Sequence, residues 1–165
     1  MKQIVIILCD VRSCYNVGSI FRTADAAGVN TVICCGITPY PRVKRDTRPE
    51  KIISSNSKEI HKTALGAEES VTYLHFDTPM EAINHYQELG LELVALENKV
   101  PNTEDLFSYT PSNNKIALVV GSETSGLDDV VLKNCSATLE IPMHGIKNSL
   151  NVSVATGIAI YSLIR

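Results

Sequence analysis

The sequence predicts an α/β domain with a mainly parallel sheet flanked by helices. Three observations lead there. Short apolar, β-branched runs recur along the chain with helical patterns between them, the signature of strand and helix in alternation. Two of these runs, IVIIL near the start and IALVV in the last third, are almost continuously hydrophobic, as strands covered on both faces must be. A length of 165 residues is enough for one continuous core. A single domain over residues 1–165 is therefore expected.

Taken in order, the first strand is predicted over Gln3–Cys9 and a helix over Val17–Ala27. The second strand, Thr31–Cys35, ends in two cysteines that belong in the core. Gly36 to Ser57 lacks clear periodicity and contains Pro39, Pro41 and Pro49, so it reads as a long loop, either functional or disordered. Strands follow at Val71–His75 and Leu91–Leu96, separated by a helix over Pro79–Glu88. Thr78 caps that helix, Pro79 suits its first turn and Glu81 completes a capping box. Lys115–Val120 and Thr138–Ile141 complete the strands, and Leu127–Asn134 and Leu150–Ile164 the helices.

Composition narrows the function. A hydrophobic fraction of 44% and a charged fraction of 20% suit an ordinary globular protein. No apolar stretch approaches the roughly 18 residues that a membrane span needs. The opening MKQIVIILCDV lacks a small-residue cleavage site and reads as a strand. Five cysteines without C-x-x-C spacing favour reduced thiols over zinc or disulfides, hence a cytoplasmic protein with no metal. Net charge is −3, against indiscriminate coating of nucleic acid. Locally the balance reverses. Arg42, Lys44, Arg45, Arg48, Lys51, Lys58 and Lys62 face only Asp46, Glu50 and Glu59, an excess of four positive charges. This is either a solvated loop or a surface that contacts phosphates.

Ligands of α/β sheets bind beyond the carboxyl ends of the strands. Three segments leaving strands are rich in Gly, Asn, Ser and Glu: DVRSCYNVGSIFR, GSETSGLDD and PMHGIKNSLNVS. In the first, Asn16 is either a helix cap or a site residue. Arg22, on an otherwise apolar helix, pairs with a buried acid or meets an anionic ligand. In the second, Glu123 sits between Gly121 and Gly126, either facing solvent or pairing with Arg22. The third leads into VATGIAIYSLI, apolar nearly all round and so expected to be buried. Ser149 there is a cap or a ligand-facing group, and Asn151 and Ser153 need partners at the mouth of such a helix.

These segments, in this order, resemble the SpoU/TrmH family of the SPOUT class of RNA methyltransferases. The matching motifs are N-x5-R (Asn16, Arg22), V-G-S-E-x-x-G-L (Val120 to Leu127) and I-P-M-x-G-x-x-x-S-L-N-V-S-x-A (Ile141 to Ala155). The resemblance extends through R-T-A-D-A-A-G-V (Arg22 to Val29) and K-T-A-L-G-A-E (Lys62 to Glu68). It implies a C-terminal deep trefoil knot, a homodimer, S-adenosyl-L-methionine as methyl donor and methylation of a ribose 2′-hydroxyl in RNA. It implies donor contacts near Leu96, Gly121, Ile141, Ser149 and Leu150, largely through backbone. It implies catalytic roles for Arg22, Asn16, Glu123, Ser149 and Asn151, with Glu123 the expected charge partner of Arg22. Arg22 is then the base for the acceptor hydroxyl, or a group that binds the adjacent phosphate and favours the developing alkoxide. Arg42, Lys44, Arg45 and Arg48 are the expected RNA contacts. The expected target is tRNA, with ribosomal RNA or a catalytically idle knotted RNA-binding protein as alternatives.

Overall fold

The computed structural model describes residues 2–98 and 100–165. Its strands are β1 (Gln3–Cys9), β2 (Thr31–Cys35), β3 (Thr72–Phe76), β4 (Glu92–Leu96), β5 (Glu104–Asp105), β6 (Lys115–Val120) and β7 (Ala137–Glu140). The helices are α1 (Cys14–Ala26), α2 (Glu50–Ala64), α3 (Ala67–Ser70), α4 (Pro79–Glu88), α5 (Asp129–Lys133) and α6 (Val152–Leu163). The strands form one sheet in the order β3-β2-β1-β6-β4-β7-β5, and every pairing is parallel.

Alternation along β1 shows why its strand is apolar throughout. Ile4, Ile6 and Leu8 point into a core shared with Phe21 of α1, Ile60 of α2 and Ile160 of α6. Val5, Ile7 and Cys9 point the other way, against Ile83 and Tyr86 of α4 and Val131 of α5. Both faces are covered, so period-two polarity disappears. At the start of α4, Thr78 accepts from the Glu81 N–H and the Glu81 side chain accepts from the Thr78 N–H, the expected capping box.

Three expectations are corrected. The last third of the supposed Gly36–Ser57 loop is the start of α2, which opens immediately after Pro49. That helix buries only Ile53, Ile60 and Ala64, so its apolar stripe is too thin to announce itself. The short β5 pairs only with the end of β7 and is exposed along its length, without any apolar run. Finally, α6 is not buried all round: Val154 and Tyr161 are 50% and 48% exposed. Its apolar character exceeds what one chain covers. Among the described residues, no helix is long and apolar enough to cross a membrane.

Candidate active site

Because all seven strands run the same way, their carboxyl ends share one edge, and the three polar loops meet there. The β6–α5 loop turns back at Ser122–Gly126, closed by the Ser122 N–H donating to Gly126 C=O at 3.2 Å and the reverse bond at 3.0 Å. Glycine is required at both ends of this turn. A Cβ on Gly121 would lie 2.4 Å from the Gly126 carbonyl carbon, and Gly126 has φ +69°.

Glu123, held out by that turn, reaches the β1–α1 loop. Its Oε2 accepts from the Arg12 N–H at 2.9 Å, and its Oε1 accepts from the Ser13 N–H at 3.2 Å and Asn16 Nδ2 at 2.8 Å. Burial raises the Glu123 pKa, but these hydrogen bonds, foremost from Arg12, outweigh it and hold the carboxyl below its ordinary value. Asn151 Nδ2 then donates to Asn16 Oδ1 at 3.0 Å, and Asn151 Oδ1 accepts from the Ser153 N–H at 2.8 Å and Ser153 Oγ at 2.6 Å. One hydrogen-bonded chain, Glu123–Asn16–Asn151–Ser153, thus fastens all three loops together.

This geometry decides the open readings of the caps. Ser13, not Asn16, caps α1, accepting from the Asn16 N–H. Asn151, not Ser149, caps α6. Glu123 is satisfied by three N–H donors, and no ion pair joins it to Arg22 among the described residues. The expected pairing of Arg22 with Glu123 is therefore corrected. Arg22 lies on the exposed side of α1, six residues from Asn16 and so roughly 9 Å along the helix axis. It does not line the cavity described next.

Beside the hydrogen-bonded chain is an open cavity of about 390 Å³. Leu96, Gly121, Ile141, Ser149 and Leu150 all line it, together with Glu123 and Asn151. The exposed His144–Asn148 segment leads into its lip. Sequence reasoning missed Glu97 and Asn98, which also line it. Asn98 Nδ2 donates to Ile141 C=O at 3.1 Å, tying the ends of β4 and β7. Their position directly after a buried strand was the available signal. Among the described residues, no three His, Cys, Asp or Glu side chains cluster as a metal site.

The basic segment leaves β2 at the same edge. Arg48 is turned inward: Nε and Nη2 donate to Asp46, Nη1 and Nη2 donate to the carbonyls of Tyr40 and Pro41, and the guanidinium lies 3.5 Å from the Tyr40 ring centroid. Arg48 in turn holds the Asp46 carboxyl well below its ordinary value. Arg42 pairs with Glu50, and Lys62 with Glu59. Lys44, Arg45, Lys51 and Lys58 are exposed and have no ion-pair partner among the described residues.

An α/β domain with three polar loops converging on a cavity at the carboxyl edge of a parallel sheet is a ligand-binding class of protein. The chain belongs to the SpoU rRNA Methylase family, which it matches over residues 3–161. It is 31% identical over 164 residues to the 23S rRNA (guanosine-2′-O-)-methyltransferase RlmB of Escherichia coli, covering 99% of this chain and 60% of that relative. It superposes on an AdoMet-bound rRNA methyltransferase from Sinorhizobium meliloti with TM-score 0.79 and 25% identity, covering 98% of this chain and 56% of the other. A TrmH/SpoU tRNA modifying enzyme from A. aeolicus gives TM-score 0.75 and 25% identity, with coverage of 98% and 74%. The chain thus spans about three fifths of the length of the curated relatives it matches.

Proposed function

We propose that this protein transfers a methyl group from S-adenosyl-L-methionine to a ribose 2′-hydroxyl of RNA. The observation that carries the reading is the Glu123–Asn16–Asn151 chain, which fixes the three family motifs around one cavity. The cavity, with Leu96, Gly121, Ile141, Ser149 and Leu150 in its wall, holds the donor. The methyl group is displaced in line by the acceptor oxygen, so the acceptor must be held behind it. Asn16, Asn151 and Ser149 orient the ribose. Glu123 acts by holding Asn16 and the β1–α1 loop, since its oxygens are taken by their N–H groups. Arg22 binds the phosphate next to the acceptor, where its charge favours the developing alkoxide.

Two copies of the chain form the working unit. Val154 and Tyr161 leave apolar side chains of α6 uncovered by this chain, and Arg22 lies on the exposed side of α1. The C-terminal trefoil knot that the family resemblance suggests, and the cytoplasmic location that the unpaired cysteines suggest, belong to the same proposal. Ribosomal RNA is the first target, because the E. coli relative is a 23S rRNA enzyme at 31% identity. Transfer RNA is the second, favoured by the likeness to the A. aeolicus tRNA modifying enzyme. RNA contact falls to Arg42, Lys44 and Arg45, with Arg48 acting from behind as the support of their loop.

The test is mass spectrometry of nucleosides from ribosomal RNA and tRNA treated with the protein and S-adenosylmethionine. Ribose-methylated nucleosides are expected, first from ribosomal RNA. Base-methylated products, or none despite donor binding, would sink the reading.

A further inference from the structure

The cavity has a charge character that the three motifs do not account for. Among the described residues that line it, the charged side chains are Glu97 and Glu123, with no lysine, arginine or histidine. Glu123 is held from the β1 side, as above. Glu97 stands on the β4 side: one oxygen accepts from the Asn98 N–H at 2.9 Å and the other from the Leu127 N–H at 2.9 Å. That second oxygen also fills the space a side chain on Gly126 would need, 2.3 Å from its Cβ position. Every partner of both carboxylates is a neutral N–H group. Two negative charges around one half-enclosed cavity repel each other and favour a ligand that brings positive charge.

We propose that Glu97 is a specificity-determining residue that, with Glu123, makes this cavity prefer the cationic methyl donor over its neutral product. The inference rests on the methyltransferase reading. In the transfer, the oxygen–carbon bond forms as the carbon–sulfur bond breaks. The electron pair of that bond stays on sulfur, and the acceptor hydroxyl loses its proton. The sulfonium becomes a thioether, so the ligand's charge falls by one while its adenosyl and amino-acid parts are unchanged. The attraction of the carboxylates is present before transfer and gone after it. The product is then released from a site that no longer favours it, and release is a step that limits many enzymes.

The experiment is calorimetry on the full chain, without RNA, using three probes. S-adenosylmethionine carries the sulfonium, sinefungin carries an ammonium in its place, and S-adenosylhomocysteine carries neither. The native protein is expected to bind both cations about tenfold more tightly than the neutral product, a factor equivalent to about 1.4 kcal/mol. Glu97→Gln should bring the three within about twofold by weakening the cations alone, and Glu97→Asp, which keeps the charge, should retain the preference. Equal affinities in the native protein overturn the proposal. So does a Glu97→Gln protein that loses all three ligands equally, since that marks a role in holding the Gly126 turn. Failure of the native protein to bind any probe at millimolar concentration overturns the methyltransferase reading itself.

Discussion

Asn16 shows how one side chain decides between a cap and a site. Its backbone N–H serves the Ser13 cap, while its side-chain amide bridges Glu123 and Asn151. A residue spent on capping would have no such reach across 135 positions of sequence. Arg22 is the contrasting case, exposed and outside the cavity that it is proposed to serve. Arg22→Ala should therefore abolish turnover, by 100-fold or more on the order of other electrostatic groups, while donor affinity by calorimetry changes less than about twofold. Weakened donor binding as the main effect would place Arg22 in the wrong role. Glu92 illustrates a buried charge kept for structure. It accepts from Tyr109 Oη at 2.5 Å, Ser112 Oγ at 3.0 Å and the Asn113 N–H at 2.7 Å. Burial raises its pKa, but these bonds, led by Tyr109, outweigh it and leave the carboxyl below its ordinary value. A depressed folded pKa contributes stability above the unfolded value of about 4.3 and loses it as pH falls further. Glu92→Gln should cost about 1–2 kcal/mol near neutral pH. The gap to the native protein in thermal unfolding should close below about pH 4.3; a gap independent of pH would mean that packing, not charge, is what was lost.

At the scale of elements, α1 is held by what lies on each side of it. Its Gly18 packs against α2 so closely that a Cβ would sit 2.2 Å from Thr63 Oγ1 and 2.3 Å from the Ile60 carbonyl oxygen. Thr63 can turn away, but the Ile60 carbonyl is backbone. Gly18→Ala should force the helices apart at a cost of about 1–3 kcal/mol, seen as a melting temperature lower by several degrees. An unchanged melting point would show that α2 is not fixed against α1. This same α2 was invisible to periodicity, because three buried residues in a helix of fifteen leave a stripe too sparse to read. The strands were legible for the opposite reason: IVIIL and IALVV are buried on both faces, and six strands were found with ends shifted by at most one residue. In α6 the apolar count was read correctly and its meaning misjudged, since burial depends on a neighbour and local sequence does not name one. The site divides along the same line. Asn16, Glu123 and Asn151 stood out as polar groups beside strand ends and glycines. Which of them touch one another depends on how far the β6–α5 turn carries Glu123, a distance that residue types alone do not encode. Glu97 lay beside the named Leu96 and was passed over because nothing around it repeats or breaks a pattern.

For the molecule as a whole, an all-parallel sheet places every strand's carboxyl end on one edge. The β2–α2 segment and the cavity therefore open on the same side, with β2 and β6 two positions apart in the sheet and so roughly 10 Å from each other. On the proposed function, an RNA strand whose ribose entered beside Asn16 would pass the exposed cations on the same side of the molecule. The acids of this segment are each spent on one cation: Asp46 on Arg48, Glu50 on Arg42, Glu59 on Lys62. What remains available to phosphate is Lys44 and Arg45 on the loop and Lys51 and Lys58 on α2, with the solvent-exposed Arg42 able to exchange its weak surface pair for a phosphate. Each phosphate contact on a single strand contributes about 0.7 to the slope of log affinity against log salt. Reversing the charge of Lys44 and Arg45 together should lower that slope by about 1.4 and weaken RNA binding at low salt, with donor affinity and melting temperature unchanged. Arg48→Ala should instead act on stability. Removing the guanidinium leaves Asp46 and the carbonyls of Tyr40 and Pro41 without their donors, so the loop loosens and the protein melts earlier. Fluorescence anisotropy across a salt series, run beside thermal unfolding, separates the two. A salt slope untouched by reversal at Lys44 and Arg45 would mean that the RNA crosses another face of the molecule, because counterion release depends on which charges meet phosphate and on nothing else in the loop.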